Sequence, residues 1–289
     1  MSATVILPNG IQLAYESFGD EEAPVILLIM GLGSQLVRWN IELCEELVAM
    51  GYRVIRFDNR DCGRSSHLDG AFVPAIGGGT PLAVPYALED MAADAVGLLN
   101  ALGIVAAHVA GASLGGAVAQ LVAAGNPERT LSLTSIMSSS GNPALPPPTP
   151  TAAQALFAPL PRELTRDNVV ADAIQRFRTI SSPAYPTDEE RLRWMFGLEY
   201  DRGFNPRGVV RQLGALIANG DRRPLLRTIA VPTVVVHGRE DPLIRVACGE
   251  DVARSIPRAR LEVIDGMGHD LPLALTHRIA EAIAAAGQA

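Results

Sequence analysis

Short apolar runs alternate with amphipathic stretches along the first half of the chain, a pattern that predicts strands followed by helices. Residues 4–7 and 12–16 flank Asn9-Gly10, a dipeptide suited to a tight hairpin turn. An apolar run at 24–30 leads to an amphipathic stretch at 39–50 and a second run at 52–57. Residues 87–102 place Met91, Ala95, Leu98 and Leu99 on one face of a predicted helix. A run at 105–110, an Ala/Val/Leu-rich stretch at 117–124 and a run at 131–137 follow. Strands buried on both faces read as continuous apolar runs, as these do, so a mostly parallel sheet covered by helices is expected.

The alternation breaks at Ser138. Ser138-Ser139-Ser140-Gly141-Asn142-Pro143 and then Pro146-Pro147-Pro148-Thr149-Pro150 do not have the composition of a core element. Helical patterns near 167–180, 187–201 and 206–219 precede a return to strand at 231–236, strand at 260–264 and helix at 271–286. This predicts a core formed by 1–141 and 229–289, with 142–228 inserted as a helical cap or lid. The segment 62–86 reads as a Gly- and Pro-rich loop. Its Gly77-Gly78-Gly79 lacks the strand-loop-helix setting of a phosphate cradle and reads as a connection.

Composition narrows the function. At 289 residues and 48% hydrophobic, the chain can bury the core of one large domain. No apolar run reaches the roughly 20 residues that span a bilayer, so no membrane partner is expected. The net charge of −7 is spread without long runs, which argues against nucleic acid or anionic lipid as a partner. All 24 basic residues are arginine. Without lysine there is no Schiff base, no pyridoxal-phosphate anchor and no P-loop amine. Three scattered cysteines, Cys44, Cys62 and Cys248, suggest free thiols. With no secretory leader pattern at the start, a cytoplasmic location is expected. No His-Glu-x-x-His or Cys-x-x-Cys pattern occurs, so neither a metal nor another cofactor is expected.

The candidate chemistry begins at Gly111-Ala112-Ser113-Leu114-Gly115-Gly116, which sits between a predicted strand and a predicted helix. Small residues two before and two after the serine allow a sharp turn that lifts its hydroxyl out at the end of the sheet. A neutral hydroxyl needs a base within reach. His108 falls in a strand, His277 in the last helix and His237 at a strand end, where packing or surface roles are expected, while His67 is placed at a pocket border. His269 differs: it lies in Asp265-Gly266-Met267-Gly268-His269-Asp270, a loop directly after a strand with two glycines. Loops at the carboxyl ends of strands are where sheet proteins place chemistry, so His269 is the expected base. The third member is a buried carboxylate that fixes the imidazole tautomer. Asp241 occupies such a position just past the 231–236 strand. Glu240 is expected to point elsewhere, Asp265 is close to His269 along the chain, and Asp58 and Asp61 end a different strand.

The order Ser113…Asp241…His269 resembles that of the α/β-hydrolases. The resemblance extends to Asp58-Asn59-Arg60-Asp61-Cys62-Gly63-Arg64-Ser65 and covers essentially the whole chain. It implies the α/β-hydrolase fold: a mostly parallel eight-stranded sheet flanked by helices, with an inserted helical cap. It also implies an oxyanion hole made by the backbone N–H groups of Leu114 and Leu32. The second follows from Met30-Gly31-Leu32-Gly33 standing where the family usually has His-Gly-X. The Met-Gly start, and Asp61 where many relatives carry glycine, resemble the branch of aclacinomycin methylesterase and similar proteins.

The expected activity is serine carboxylic-ester hydrolysis through an acyl-enzyme on a small to medium apolar ester. Leu156, Phe157, Phe177, Tyr185, Trp194, Phe196, Tyr200 and Phe204 concentrate in the insertion. They are expected to form the cap's own small core, with two or three facing the cleft. Arg176, Arg191, Arg193 and Arg211 read as a solvated face. Serine rather than aspartate at the turn argues against dehalogenation and epoxide opening. Peracid formation, lactone or C–C bond hydrolysis and acyl transfer use the same three residues and stay open. A ligand-binding protein on a hydrolase fold is the reading from another class, and the intact set of three argues against it.

Overall fold

The computed structural model describes residues 2–69 and 84–287. The triple glycine and most of the 62–86 loop therefore lie outside the described residues. Strands β1 (Ala3–Ile6) and β2 (Gln12–Phe18) form the predicted antiparallel hairpin, with Gly10 at φ +84° in the turn. Next come β3 (Val25–Ile29), α1 (Ile41–Ala49), β4 (Arg53–Phe57), α2 (Leu88–Ala101), β5 (Ala107–Ala112), α3 (Leu114–Gly125) and β6 (Thr130–Ile136).

Five helices separate β6 from the next strand: α4 (Pro150–Phe157), α5 (Arg166–Ile180), α6 (Glu189–Gly203), α7 (Pro206–Asn219) and α8 (Arg223–Leu226). The chain then closes with β7 (Thr233–Gly238), α9 (Val246–Ser255), β8 (Arg260–Ile264) and α10 (Thr276–Ala286). The last helix starts later than its apolar pattern suggests. Leu273–Leu275 form a 3-10 turn after Pro272 before the α-helix begins.

The proline-rich stretch after β6 does more than connect. Thr149 accepts a hydrogen bond from Ala152 N–H, and Pro150 takes the first helical position, where its missing N–H is no loss. A proline cluster that reads as a breaker is thus the start of α4. Thr165, Asp188 and Asn205 cap α5, α6 and α7 in the same manner.

The eight strands lie in the order β1-β2-β4-β3-β5-β6-β7-β8, antiparallel through β1 and β2 and parallel from β4 onward. From β3 the chain moves outward to β4, then crosses back to β5 on the other side. The carboxyl ends of β3 and β5 are therefore where successive connections diverge, and the crevice between them is the natural site for chemistry.

Alternate residues of β3 supply both sides of the core. Leu27 and Ile29 join Leu98, Val109 and Val118 beneath α2 and α3, while Ile26 and Leu28 join Leu43, Val54 and Ile283 beneath α1 and α10. A separate small cluster, Val170, Ile174, Leu192 and Phe196, joins α5 to α6.

Candidate active site

At the carboxyl end of β5 the chain turns into α3 through Ser113, held at φ +55° and ψ −119°. Such a conformation costs about 1–3 kcal/mol for a residue with a side chain, and the surroundings must enforce it. They do. Ser113 N–H donates to Ile136 O at 2.9 Å, and Ser138 Oγ–H donates to Ser113 O at 2.8 Å. A Cβ on Gly111 would collide with the backbone of Gly115, and one on Gly115 with the carbonyls of Ile29 and Met30. The two glycines are what let β3, β5 and α3 meet beneath the serine.

The structure brings the three expected side chains together. Ser113 Oγ–H donates to His269 Nε2 at 3.0 Å, and His269 Nδ1–H donates to Asp241 Oδ2 at 2.7 Å. Asp241 is fully buried, and its other oxygen accepts the N–H groups of Leu243 at 2.9 Å and Ile244 at 2.8 Å. That turn fixes the carboxylate, the carboxylate fixes the imidazole tautomer, and the tautomer leaves Nε2 free to accept from the serine. The rival acids are occupied elsewhere: Glu240 accepts from Gly266 N–H, Asp265 pairs with Arg239, Asp58 with Arg202, and Asp61 with Arg211.

Gly31 sits against the serine, and a Cβ on it would stand 3.1 Å from Ser113 Cβ. Its loop is pinned on both sides: Asn59 Nδ2 donates to Met30 O at 2.9 Å, and Gly33 N–H donates to Gln212 Oε1 at 2.8 Å. Among the described residues, neither the Leu32 nor the Leu114 N–H donates to another group.

His237 has a place beyond strand packing. It is fully buried beside Asp241, with Nε2 3.6 Å from Asp241 Oδ2 and its N–H donated to Ile244 O at 2.7 Å. Burial pushes its pKa below the usual histidine range. Its Nδ1 has no partner among the described residues, and Gly249 leaves room for the ring by having no side chain. The signal was the four-residue spacing His237 to Asp241 across a strand end. The other histidines stand apart from the serine: His108 bonds Ser132, His67 bonds Gly63 O, and His277 faces Glu46 at the surface.

The inserted helices are tied to the core by buried charge. Arg202 donates to Asp58 Oδ2 at 2.7 Å, and Arg211 makes a two-pronged pair with Asp61 at 2.8 and 2.6 Å. Arg211 is thus no part of a solvated face, as its helix pattern suggested, but 2% exposed. Arg191 reaches Glu42 on α1, Arg176 binds Asp172 and the carbonyls that end α4, and Arg193 stays exposed beside Glu189. Asp61 itself adopts φ +67°, which explains a glycine-type position held by an acid: the carboxylate is spent on Arg211.

The aromatic residues divide by role. Phe177 and Phe196 pack edge to face at 5.8 Å in the α5–α6 cluster, and Tyr200 stacks on Phe204 at 5.6 Å. Phe157 and Trp194 are exposed. Cys44, Cys62 and Cys248 are buried and unpaired. Among the described residues, no three His, Cys, Asp or Glu side chains gather as a metal site, and no helix is long and apolar enough to cross a membrane.

Similarity to known proteins follows the same lines. Rhodomycin D methylesterase of Streptomyces peucetius is 29% identical over 99% of this chain and 98% of its own length. A 3-oxoadipate enol-lactonase of Acinetobacter baylyi is 28% identical over 88% of this chain and 85% of its own. The crystal structure of an enol-lactonase from Burkholderia xenovorans superposes with a TM-score of 0.73 at 23% identity, covering 99% of this chain and all of that one. Residues 24–273 match the model of the alpha/beta hydrolase fold, and the chain belongs to that family.

Proposed function

We propose that the protein is a serine carboxylic-ester hydrolase that works through an acyl-enzyme on Ser113. The observation that carries this reading is the continuous chain of hydrogen bonds from Ser113 Oγ through His269 to Asp241. His269 Nε2 takes the serine proton as Oγ attacks the ester carbonyl, and Asp241 steadies the imidazolium that forms. The amides of Leu32 and Leu114 receive the oxyanion. The leaving alcohol takes the proton from His269, and water repeats the cycle on the acyl group.

The substrate proposed is a small to medium apolar ester, with a methyl ester of an aromatic polyketide acid as the first candidate. Similarity to rhodomycin D methylesterase over nearly the full length of both chains favours it. Enol-lactone hydrolysis is the second reading, favoured by the enol-lactonase relatives. The inserted helices, anchored by Arg202 and Arg211, would form the cap over the bound ester. Three unpaired buried thiols fit a cytoplasmic location.

A fluorophosphonate probe tests the nucleophile. The wild type is expected to label at Ser113 and Ser113→Ala not at all. An unlabelled wild type would favour a ligand-binding protein on this fold. Initial rates on p-nitrophenyl esters of increasing length, beside aryl and polyketide methyl esters and an enol-lactone, then rank the substrates.

A further inference from the structure

We propose that Ser182 and Asp270 are positioning residues that set the His269 imidazole from the connection between α5 and α6. The inference rests on the reading of His269 as the base. The loop at residues 265–270 has no regular structure of its own to aim a ring. Its main chain is held by Glu240, whose N–H donates to Met267 O and whose carboxylate accepts Gly266 N–H, and by residues 180–185 of the inserted segment. His269 N–H donates to Ile180 O at 2.7 Å, and Ala184 N–H donates to Gly266 O at 3.2 Å.

Ser182 stands at the centre of this contact. Its Oγ accepts Gly268 N–H at 2.9 Å and donates to Asp270 Oδ1, which also accepts Ser182 N–H at 2.9 Å. One hydroxyl therefore ties the residue before His269 to the residue after it. The approach is close enough that a Cβ on Gly266 would collide with Ala184, and one on Gly268 with Ser181 and Ile180. The two glycines of the histidine loop are there to admit the α5–α6 connection.

Packing alone gives no reason for an acid at this point. Asp270 is 6% exposed, its Oδ2 is buried with no partner among the described residues, and burial pushes its pKa above the usual carboxylate range. A buried carboxylate with one unsatisfied oxygen is costly, and its other hydrogen bonds offset part of that cost. What they fix is the Gly268 N–H on one side of His269 and the Asp270 side chain on the other, and through these neighbours the direction of its Cα–Cβ bond. Nε2 lies at the far end of that side chain, where a small rotation of the backbone becomes a larger displacement. At a working distance of 3.0 Å from Ser113 Oγ, a misplacement near 1 Å is enough to lower the rate about 100-fold.

The test uses the full chain with p-nitrophenyl acetate and the variants Ser182→Ala, Asp270→Ala, Asp270→Asn and His269→Ala. Ser182→Ala and Asp270→Ala are expected to lower kcat by about 10- to 100-fold with KM changed by less than about twofold. The low-field NMR resonance of the His269 Nδ1–H proton is expected to shift or broaden with them. Asp270→Asn keeps an oxygen for both Ser182 donors and is expected to retain more turnover than Asp270→Ala. A folded Ser182→Ala with wild-type kcat and an unmoved resonance overturns the proposal, and so does a loss of thermal stability with kcat kept. If Asp270→Ala does not fold, Ser182→Ala decides. Turnover retained by His269→Ala would instead overturn the reading of His269 as the base, whatever Ser182 does.

Discussion

His237 Nε2 stands 3.6 Å from Asp241 Oδ2, with both side chains fully buried at the end of β7. The imidazole donates its one N–H to Ile244 O, the last residue of the turn whose amides hold Asp241. It therefore backs the carboxylate as a neutral ring. A second cation there would compete with the imidazolium of His269 for one carboxylate.

That neutrality makes stability depend on pH. Burial, opposed by Asp241 and Ile244 O, lowers the folded pKa of His237 below its unfolded value of 6.5. Below that value the unfolded chain binds a proton that the folded chain refuses, so stability falls as pH falls, until the folded pKa is reached. The slope from this group is at most about 1.4 kcal/mol per pH unit. His237→Gln keeps an N–H for Ile244 O and has nothing to titrate. Urea unfolding from about pH 7.5 to about pH 5 is expected to show a flatter acid loss in the variant than in the wild type. Parallel losses in the two proteins would place the neutral form elsewhere.

Asp241→Asn is predicted to fold and to lose most of its activity. An amide at that position can keep the Leu243 and Ile244 N–H bonds on its oxygen. The NH2 it then turns toward Nδ1 favours the tautomer that carries its proton on Nε2, the nitrogen that must accept from Ser113. The analogous exchange in a serine protease lowers kcat by about 10⁴, and a loss of that order is expected here. Near-wild-type initial rates on p-nitrophenyl acetate would show that another acid serves His269.

Much of this was legible because it is local. The Gly111–Gly116 turn, the Asn9-Gly10 hairpin and the apolar runs each state their conformation within a few residues. The sheet order could not be read in the same way, since β3 lies between β4 and β5 only because of contacts distant in sequence. Helix α4 was hidden because proline at a first helical turn and proline in a loop look alike without the Thr149 cap. Arg211 was misread for a related reason. Its helix mixes apolar residues with a few polar ones, and nothing nearby reveals that Asp61, 150 positions earlier, receives its guanidinium. For His237 the local hint is its four-residue spacing to Asp241, while Ser182 matters through tertiary geometry and no motif marks it.

The Asp61–Arg211 pair is predicted to be costly to break and cheap to remove. Both side chains are buried, so removing either one takes the two-pronged partner away from a buried charge. Arg211→Met is expected to destabilise the protein by about 3–5 kcal/mol, and Asp61→Gly by a comparable amount less the relief of its left-handed backbone. The double variant Asp61→Gly/Arg211→Met, with no buried charge at either position, is expected to recover most of the loss. A double-mutant cycle by urea unfolding measures this. Simple additivity of the two losses would mean that the pair is not coupled.

Gly31→Ala offers a selective test of the oxyanion assignment. The new Cβ would lie 3.1 Å from Ser113 Cβ and 3.2 Å from Ala112 O. Those distances are tight but not impossible, so the loop is expected to yield by a few tenths of an ångström rather than prevent folding. Yielding moves the Leu32 N–H away from the carbonyl oxygen on which the negative charge develops, while leaving Ser113, His269 and Asp241 in place. Loss of one such donor lowers kcat by about 10²–10³, and a displaced donor is expected to approach that range with KM little changed. Gly115→Ala makes the contrast, because its Cβ collides with the rigid carbonyls of Ile29 and Met30 and should unfold the protein. Circular dichroism separates the two cases, and steady-state rates on p-nitrophenyl acetate measure the first. A folded Gly31→Ala with unchanged kcat would take Leu32 out of the oxyanion hole, because a donor whose position has no bearing on the rate does not bind the charge that develops there.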